Sequence, residues 1–199
     1  NDNQRKLKFL FDTGSDGMMV NTVLAEELGL KISREQQASA VGGHIDIKVS
    51  ENNIVHFGDF DLDHQSIAVF GSTNPDHDGI IGNTILKRYI TRIDYDKKEM
   101  TLYSLGSFMP EKKAKILPVD VKTGNVLLGA SVYIKEGNPV PGEFTFDTGA
   151  GYSMIVFRPT VLKYKMLVSG FVQDSSGTTV SMGMVTPVFH GKAQKVSFN

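Results

Sequence analysis

The stretches FDTGS at residues 11–15 and FDTGA at residues 146–150, the first and second motif, decide the fold of this 199-residue chain. They lie 135 residues apart, and their apolar flanks repeat at the same offset, so that Phe9 matches Phe144. One offset that holds across a motif and its flanks indicates an internal repeat. We therefore expect two copies of one structural unit in the chain.

The residues around the first motif predict strands and one short helix. Leu7, Phe9 and Phe11 recur at period two, which is typical of a strand with one buried face, and this strand would end at the motif. Asn21 is placed to cap a helix over residues 22–28, because its side-chain oxygen can accept from a free backbone N–H of the first turn.

Glycines that lie 30 residues after the Asp of each motif predict one hairpin per unit. Gly42 and Gly177 are related by the offset of the repeat. Glycine is frequent in tight turns because it adopts positive φ without steric cost. The first turn would comprise Val41, Gly42, Gly43 and His44, and the second would comprise Gly177 and Thr178 with the preceding Ser175 and Ser176.

A third segment, DGIIG at residues 78–82, follows the Asp of the first motif by 66 residues. Beyond it the sequence predicts a helix that is capped by Asn83 and turns Ile85 and Leu86 inward, and then a hairpin over residues 90–102. The counterpart of DGIIG in the second unit would fall near position 213. We therefore expect the second unit to be incomplete as given.

These patterns divide the chain into two units and a connection. Residues 1–107 form the first predicted unit, and residues 116–199 form the second, which opens with two strand-like runs before its motif. Residues 108–115 contain Pro110 and three lysines, a composition that is typical of a solvated linker.

The composition excludes several classes of protein. With 21 Lys and Arg against 22 Asp and Glu the net charge is −1, whereas nucleic-acid-binding proteins usually carry a marked basic excess. The absence of cysteine excludes disulfides, thiolate nucleophiles and sulfur-bound zinc. The longest near-apolar stretch, residues 126–134, is far shorter than the roughly 20 residues of a membrane-spanning helix.

Acidic and histidine residues elsewhere do not form a convincing metal site. Asp59, Asp61 and Asp63 have the spacing of the first ligands of a calcium loop, but His64 stands where that loop requires glycine. An exposed strand face is the favoured interpretation. His77 has no second histidine at a ligand-like spacing and is read as a solvated loop residue. We predict neither a metal nor a cofactor.

The two motifs, each closing an apolar strand, together with the DGIIG segment resemble the signatures of aspartic proteases. With one short hairpin per unit the chain is most similar to retropepsin-like proteases, here with two lobes fused in one chain as in some bacterial members. The resemblance implies an all-β fold of two barrel-like lobes with short helices, related by a pseudo-twofold axis. It further implies an aspartic endopeptidase that needs no cofactor, binds an extended peptide and is often exported to the periplasm or cell surface.

The resemblance assigns catalysis to Asp12 and Asp147. Hydrolysis without a metal or a covalent nucleophile needs a base that activates water and an acid that protonates the carbonyl oxygen. Two carboxyls that share a proton supply both, since neighbouring like charges cannot both ionise, as is general for aspartic proteases. The alternative is a non-catalytic, peptide-binding module with the same architecture. The oligomeric state stays open.

The motif neighbours have supporting roles in the family. Thr13 and Thr148 would each reach the backbone of the other lobe, and the N–H groups of Gly14 and Gly149 would donate to the carboxylates. The DGIIG segment, including Asp78, would pack beneath the first motif. The two hairpins would serve as flaps over the cleft, with apolar pockets lined by residues such as Ile81 and Val41.

One asymmetry between the motifs suggests a difference between the two aspartates. Ser15 offers a hydroxyl that could donate to Asp12, whereas Ala150 offers none to Asp147. Because a donated hydrogen bond stabilises a carboxylate, we expect Asp12 to be the more readily charged partner.

Overall fold

The computed structural model describes residues 6–71, 76–122 and 124–198, and it is mostly β, which confirms the predicted class. The strands are β1 Phe9–Phe11, β2 Met18–Asn21, β3 Ile32–Ala40, β4 Gly43–Phe57, β5 Phe60–Phe70, β6 Gly79–Ile81, β7 Ile90–Asp94, β8 Glu99–Tyr103, β9 Val119–Lys122, β10 Asn125–Tyr133, β11 Pro139–Thr145, β12 Gln173–Ser181, β13 Met184–Gly191 and β14 Lys195–Phe198. The helices are α1 Thr22–Glu27, α2 Arg158–Lys163 and a 3₁₀ turn at Met166–Val168.

The first part of the chain forms a six-stranded sheet in the order β1-β6-β2-β5-β4-β3. The pairs β1/β6 and β2/β5 are parallel and the other pairs are antiparallel. Nine buried residues form the core against this sheet, among them the fully enclosed Leu62 and Ile85. The apolar positions of the strands therefore create the interior on which the first motif rests.

Helix α1 forms where the sequence predicts it. The side chain of Asn21 accepts a hydrogen bond of 2.8 Å from the backbone N–H of Leu24, which satisfies one of the free donors of the first turn. Leu24 and Ala25 bury the inner face of the helix against the core.

The second part of the chain forms a smaller sheet. Strand β10 pairs with β9, β11 and β14, of which β14 follows the second motif. Strands β9 and β10 precede β11, which leads into that motif. Its core comprises three buried residues, Val132, Val140 and Met166. Residues 150–157, which correspond to β2 in the repeat, form no strand.

Both predicted hairpins exist, but the second turn lies elsewhere than predicted. Strands β3 and β4 are joined at Val41–Gly42, as expected. Strands β12 and β13 are joined at Met182–Gly183, while Gly177 and Thr178 lie inside β12. The placement of Gly177 at a turn was therefore wrong. The physical reason is that both residues of Met182–Gly183 adopt positive φ, 49° and 83°, and a two-residue hairpin loop of type I′ requires positive φ at both positions.

The segment after β6 also differs from its prediction. Residues 83–88 form irregular turns instead of a helix: the N–H of Lys87 reaches the carbonyl of Asn83, while the N–H groups of Arg88 and Tyr89 share the carbonyl of Ile85. The side chain of Asn83 does not cap this segment, because its Oδ1, the atom that would accept, makes no hydrogen bond among the described residues, while its Nδ2 donates elsewhere. Strands β7 and β8 form the predicted hairpin that follows.

Residues 108–115 contain neither helix nor strand. The division at this segment and the pseudo-twofold relation of two lobes remain predictions.

Candidate active site

The two motifs meet through a reciprocal set of hydrogen bonds. The N–H of Thr13 donates to Oγ1 of Thr148 at 3.1 Å, and the N–H of Thr148 donates to Oγ1 of Thr13 at 3.0 Å. Each hydroxyl also donates a hydrogen bond to the backbone of the other motif. The hydroxyl of Thr13 donates to the carbonyl of Phe146 at 2.5 Å, and the hydroxyl of Thr148 donates to the carbonyl of Phe11 at 2.8 Å. Four bonds thus fix one motif against the other.

The carboxyls of Asp12 and Asp147 lie at this junction and each accepts a backbone N–H. Gly14 donates to Oδ1 of Asp12, and Gly149 donates to Oδ1 of Asp147, both at 2.8 Å. A Cβ added to Gly14 would lie 2.6 Å from Cγ of Asp147, and one on Gly149 would clash with the carboxyl of Asp12. Only glycine allows each loop to approach the opposite carboxyl so closely.

The environment changes the acidity of one of these carboxyls. Burial, the charge of Asp147 and a hydrogen bond shared with Asp147 raise the pKa of Asp12 from its usual 3.8 to about 6, against a smaller opposing effect of the N–H groups of Gly14 and Ser15. Two carboxyls that share a hydrogen bond hold one proton in mildly acidic solution. The pair therefore offers an acid and a base side by side.

The predicted role of the Ser15 hydroxyl was wrong. This hydroxyl donates to the carbonyl of Gly17 at 3.2 Å, and it is the backbone N–H of Ser15 that contributes to the Asp12 carboxyl. The hydroxyl thus serves the turn after the motif. The expectation that Asp12 is the more readily charged partner rested on this hydroxyl and loses its support, and burial raises the pKa of Asp12.

The DGIIG segment lies against the first motif. The N–H of Asp12 donates to the carbonyl of Ile81 at 3.0 Å, and the N–H of Gly82 donates to the carbonyl of Gly17 at 3.0 Å. A side chain on Gly82 would strike the backbone of the motif loop. Asp78 accepts from the N–H of Lys8 at 2.7 Å, a structural contact at the start of β1.

Asn83 is a residue near the motif that the sequence did not reveal in this role. Its side chain is 2% exposed, and Nδ2 donates to the carbonyl of Thr13 at 2.8 Å and to the carbonyl of Gly124 at 2.7 Å. An Asn after a glycine and before apolar residues carries the signature of a helix cap, which was how it was interpreted. No local sequence signal distinguishes the two roles.

The tip of the first hairpin contacts the second hairpin. The N–H of Val41 donates to Oγ of Ser181 at 3.2 Å, and a Cβ on Gly42 would lie 2.5 Å from Oγ1 of Thr186. Gly43 lies near Met184. Val41, Gly42 and Gly43 are therefore brought to the second hairpin, whereas the predicted Gly177 and Thr178 lie along β12, away from its tip.

His44 is exposed, and its ring Nδ1 lies 3.3 Å from Oγ of Ser39 on the paired strand. This contact lies within the first hairpin.

Two of the three acidic residues considered as a calcium loop, Asp61 and Asp63, form surface ion pairs. Asp61 pairs with His56 at 2.7 Å, and Asp63 pairs with Arg88 at 2.5 Å, all on exposed side chains. Within residues 6–71, 76–122 and 124–198 there is no group of three or more His, Cys, Asp and Glu side chains that could hold a metal ion. None of the helices in this part of the chain has the length and apolar character that crossing a bilayer requires.

Comparison with known proteins points to one family. Residues 1–85 match the family model described as aspartyl protease. A retropepsin-like aspartic protease from Rickettsia conorii is 26% identical over 50% of this chain and 75% of its own, with a TM-score of 0.37. The search of curated proteins finds no match. The family match includes the first motif and the DGIIG segment, and it supports the aspartyl protease family for this part of the chain.

Proposed function

From the aspartyl protease family that the match over residues 1–85 supports, we propose that this chain is a retropepsin-like aspartic endopeptidase in which Asp12 and Asp147 together activate a water molecule. The observation that carries the proposal is the junction of the two motifs. Two carboxyls from distant parts of the chain are held together by four threonine hydrogen bonds, and the pKa of one carboxyl is raised to about 6.

The proposed reaction uses the shared proton. With Asp12 protonated, the carboxylate of Asp147 removes a proton from water while Asp12 protonates the oxygen of the scissile carbonyl. The resulting tetrahedral diol collapses when the amide nitrogen takes the proton from Asp147 and a diol hydroxyl returns a proton to Asp12. The C–N bond breaks, and the carboxyl pair regains its starting protonation.

We further propose that residues 1–107 and 116–199 are two lobes joined by the linker 108–115, with the substrate extended between them. The hairpins β3–β4 and β12–β13 would act as flaps, since their tips already contact each other. An extended peptide could exchange backbone hydrogen bonds with the strands that carry Val41–His44 and Gly177–Thr178.

The direct test is cleavage of a mixed peptide library by the full chain between pH 4 and 7, with and without a statine-type inhibitor. Asp12→Asn and Asp147→Asn are each expected to lower the cleavage rate by at least about 10³-fold, because general acid and base catalysis contributes about 10²–10⁴-fold and an amide supplies neither. Asp96→Asn, in the exposed turn between β7 and β8, is the matched control and should retain full activity.

Undiminished cleavage in either motif variant would refute the proposal. Peptide binding by the wild type without any turnover would favour the non-catalytic module instead.

A further inference from the structure

Asn83 connects the two parts of the chain with a single buried side chain. Its Nδ2 donates to the carbonyl of Thr13, in the first motif, and to the carbonyl of Gly124, between β9 and β10. A carboxamide NH₂ has two hydrogens, so both are used. Asn83 and Thr13 are each 2% exposed, so water is not an easy substitute partner for the carbonyl of Thr13.

The carbonyl of Thr13 matters because of its covalent neighbour. The carbonyl of residue 13 and the N–H of Gly14 belong to one planar peptide unit, so the direction of one fixes the direction of the other. The N–H of Gly14 donates to Oδ1 of Asp12 at 2.8 Å. A hydrogen bond to the Thr13 carbonyl therefore aims the Gly14 N–H at the carboxyl.

We propose that Asn83 is a positioning residue: by holding the Thr13 carbonyl it orients the Thr13–Gly14 peptide and so keeps the Gly14 N–H directed at Asp12. Its catalytic meaning rests on the proposed function, whereas its effect on the Asp12 carboxyl does not. The amide is required because only a donor of two hydrogens can serve both carbonyls.

The effect on Asp12 has a definite sign. The Gly14 N–H lowers the pKa of Asp12, so losing its alignment raises that pKa further. Among the described residues the charged group that acts on Asp12 is Asp147, and the threonine bonds that hold Asp147 in place do not involve Asn83. Asp16 and Lys87, on the segments beside Asn83, pair with each other at 2.6 Å.

The test compares Asn83→Ala with a matched control. Asn53 is a partly buried asparagine whose Nδ2, like that of Asn83, donates to two backbone carbonyls, those of Ser50 and Gln65, but both carbonyls lie in the six-stranded sheet away from the motifs. Asn53→Ala therefore removes similar bonds and should lower thermal stability without changing the carboxyl pair.

For Asn83→Ala we expect kcat to fall about 100-fold, the cost of a small misplacement in an active site, with KM changed by less than about threefold. Because Asp12 donates the proton in the proposed reaction, the alkaline limb of the pH profile should move to higher pH. Without substrate, a ¹³C NMR titration of the side-chain carboxyl carbons should show Asp12 titrating at a higher pH than in the wild type.

A second variant, Asn83→Asp, keeps the shape but faces both carbonyls with oxygen. Its carboxylate form cannot donate, whereas its protonated form can donate one hydrogen bond, so relative to the wild type this variant should recover activity as the pH falls. If Asn83→Ala fails to fold, this variant still tests whether Asn83 positions the Thr13–Gly14 peptide.

The inference would be overturned if Asn83→Ala left the titration of Asp12 unchanged, or if Asn53→Ala shifted it as far as Asn83→Ala does. If the wild type cleaves no peptide, the proposed protease function fails, and the NMR titration still decides the role of Asn83.

Discussion

Replacing Asp12 with asparagine should stabilise the folded protein at neutral pH while it abolishes cleavage. In the folded state burial, followed by the charge of Asp147, raises the pKa of Asp12 to about 6, and in the unfolded chain the carboxyl returns to its usual 3.8. The folded state thus binds this proton more tightly than the unfolded state. Between about pH 4 and 6 the free energy of unfolding must fall as the pH rises.

The size of the effect follows from the same two values. At about 1.4 kcal/mol per pKa unit, the difference between 3.8 and about 6 corresponds to at most about 3 kcal/mol. The carboxyl keeps partial access to solvent, which screens it, so we expect about 1–2 kcal/mol. An amide does not ionise and can donate to Asp147, so the variant should not lose the stability that the wild type loses when Asp12 ionises.

Urea unfolding at pH 4, 5, 6 and 7 measures this difference. Wild type and Asp12→Asn should have similar stability at the lowest pH, and the variant should gain about 1–2 kcal/mol by pH 7, with an unchanged dependence on urea concentration. Asp96→Asn should follow the wild type throughout.

A constant difference across the pH range would show that the substitution acts on packing and not on ionisation. A variant that is less stable than the wild type at pH 7 would refute the claim that burial and the charge of Asp147 make the ionised Asp12 carboxyl unfavourable in the folded state.

Two further substitutions test smaller features of the structure. Ser15→Ala should leave the alkaline limb of the pH profile of kcat/KM in place, because the hydroxyl donates to Gly17 and not to Asp12, and an upward shift of that limb would contradict the observed geometry. Asn21→Ala should lower the free energy of unfolding by about 1 kcal/mol in urea titrations, since it removes the acceptor for the N–H of Leu24; no loss would show that the cap contributes nothing.

The features that the sequence predicts well are those with a local physical cause. The strand that ends at Asp12 and the cap at Asn21 each depend on residues close together in the chain, and each copy of the repeated motif is itself a run of five consecutive residues. The meeting of the motifs was predicted by resemblance, and the structure adds the four threonine hydrogen bonds.

The features that sequence reasoning missed depend on long-range partners. Gly177 falls on Gly42 by offset, but strand register and the positive φ at Met182–Gly183 decide where the second hairpin turns. The hydroxyl of Ser15 had two acceptors within reach, and the fold determines which of them it uses. Asn83 resembles a cap until the turn around Gly124 is placed beside it.

The unequal cores of the two sheets have a consequence for how activity is lost on heating. In the described chain nine buried residues support the sheet beside the first motif, and three support the sheet that carries the second. Regions with few buried apolar contacts open locally at a lower free energy than the rest of a protein. Because the proposed reaction needs both aspartates together, local opening around Asp147 would inactivate the pair while the larger sheet is still intact. Loss of function should therefore precede global melting, and amide hydrogens of β10 should exchange before those of β5.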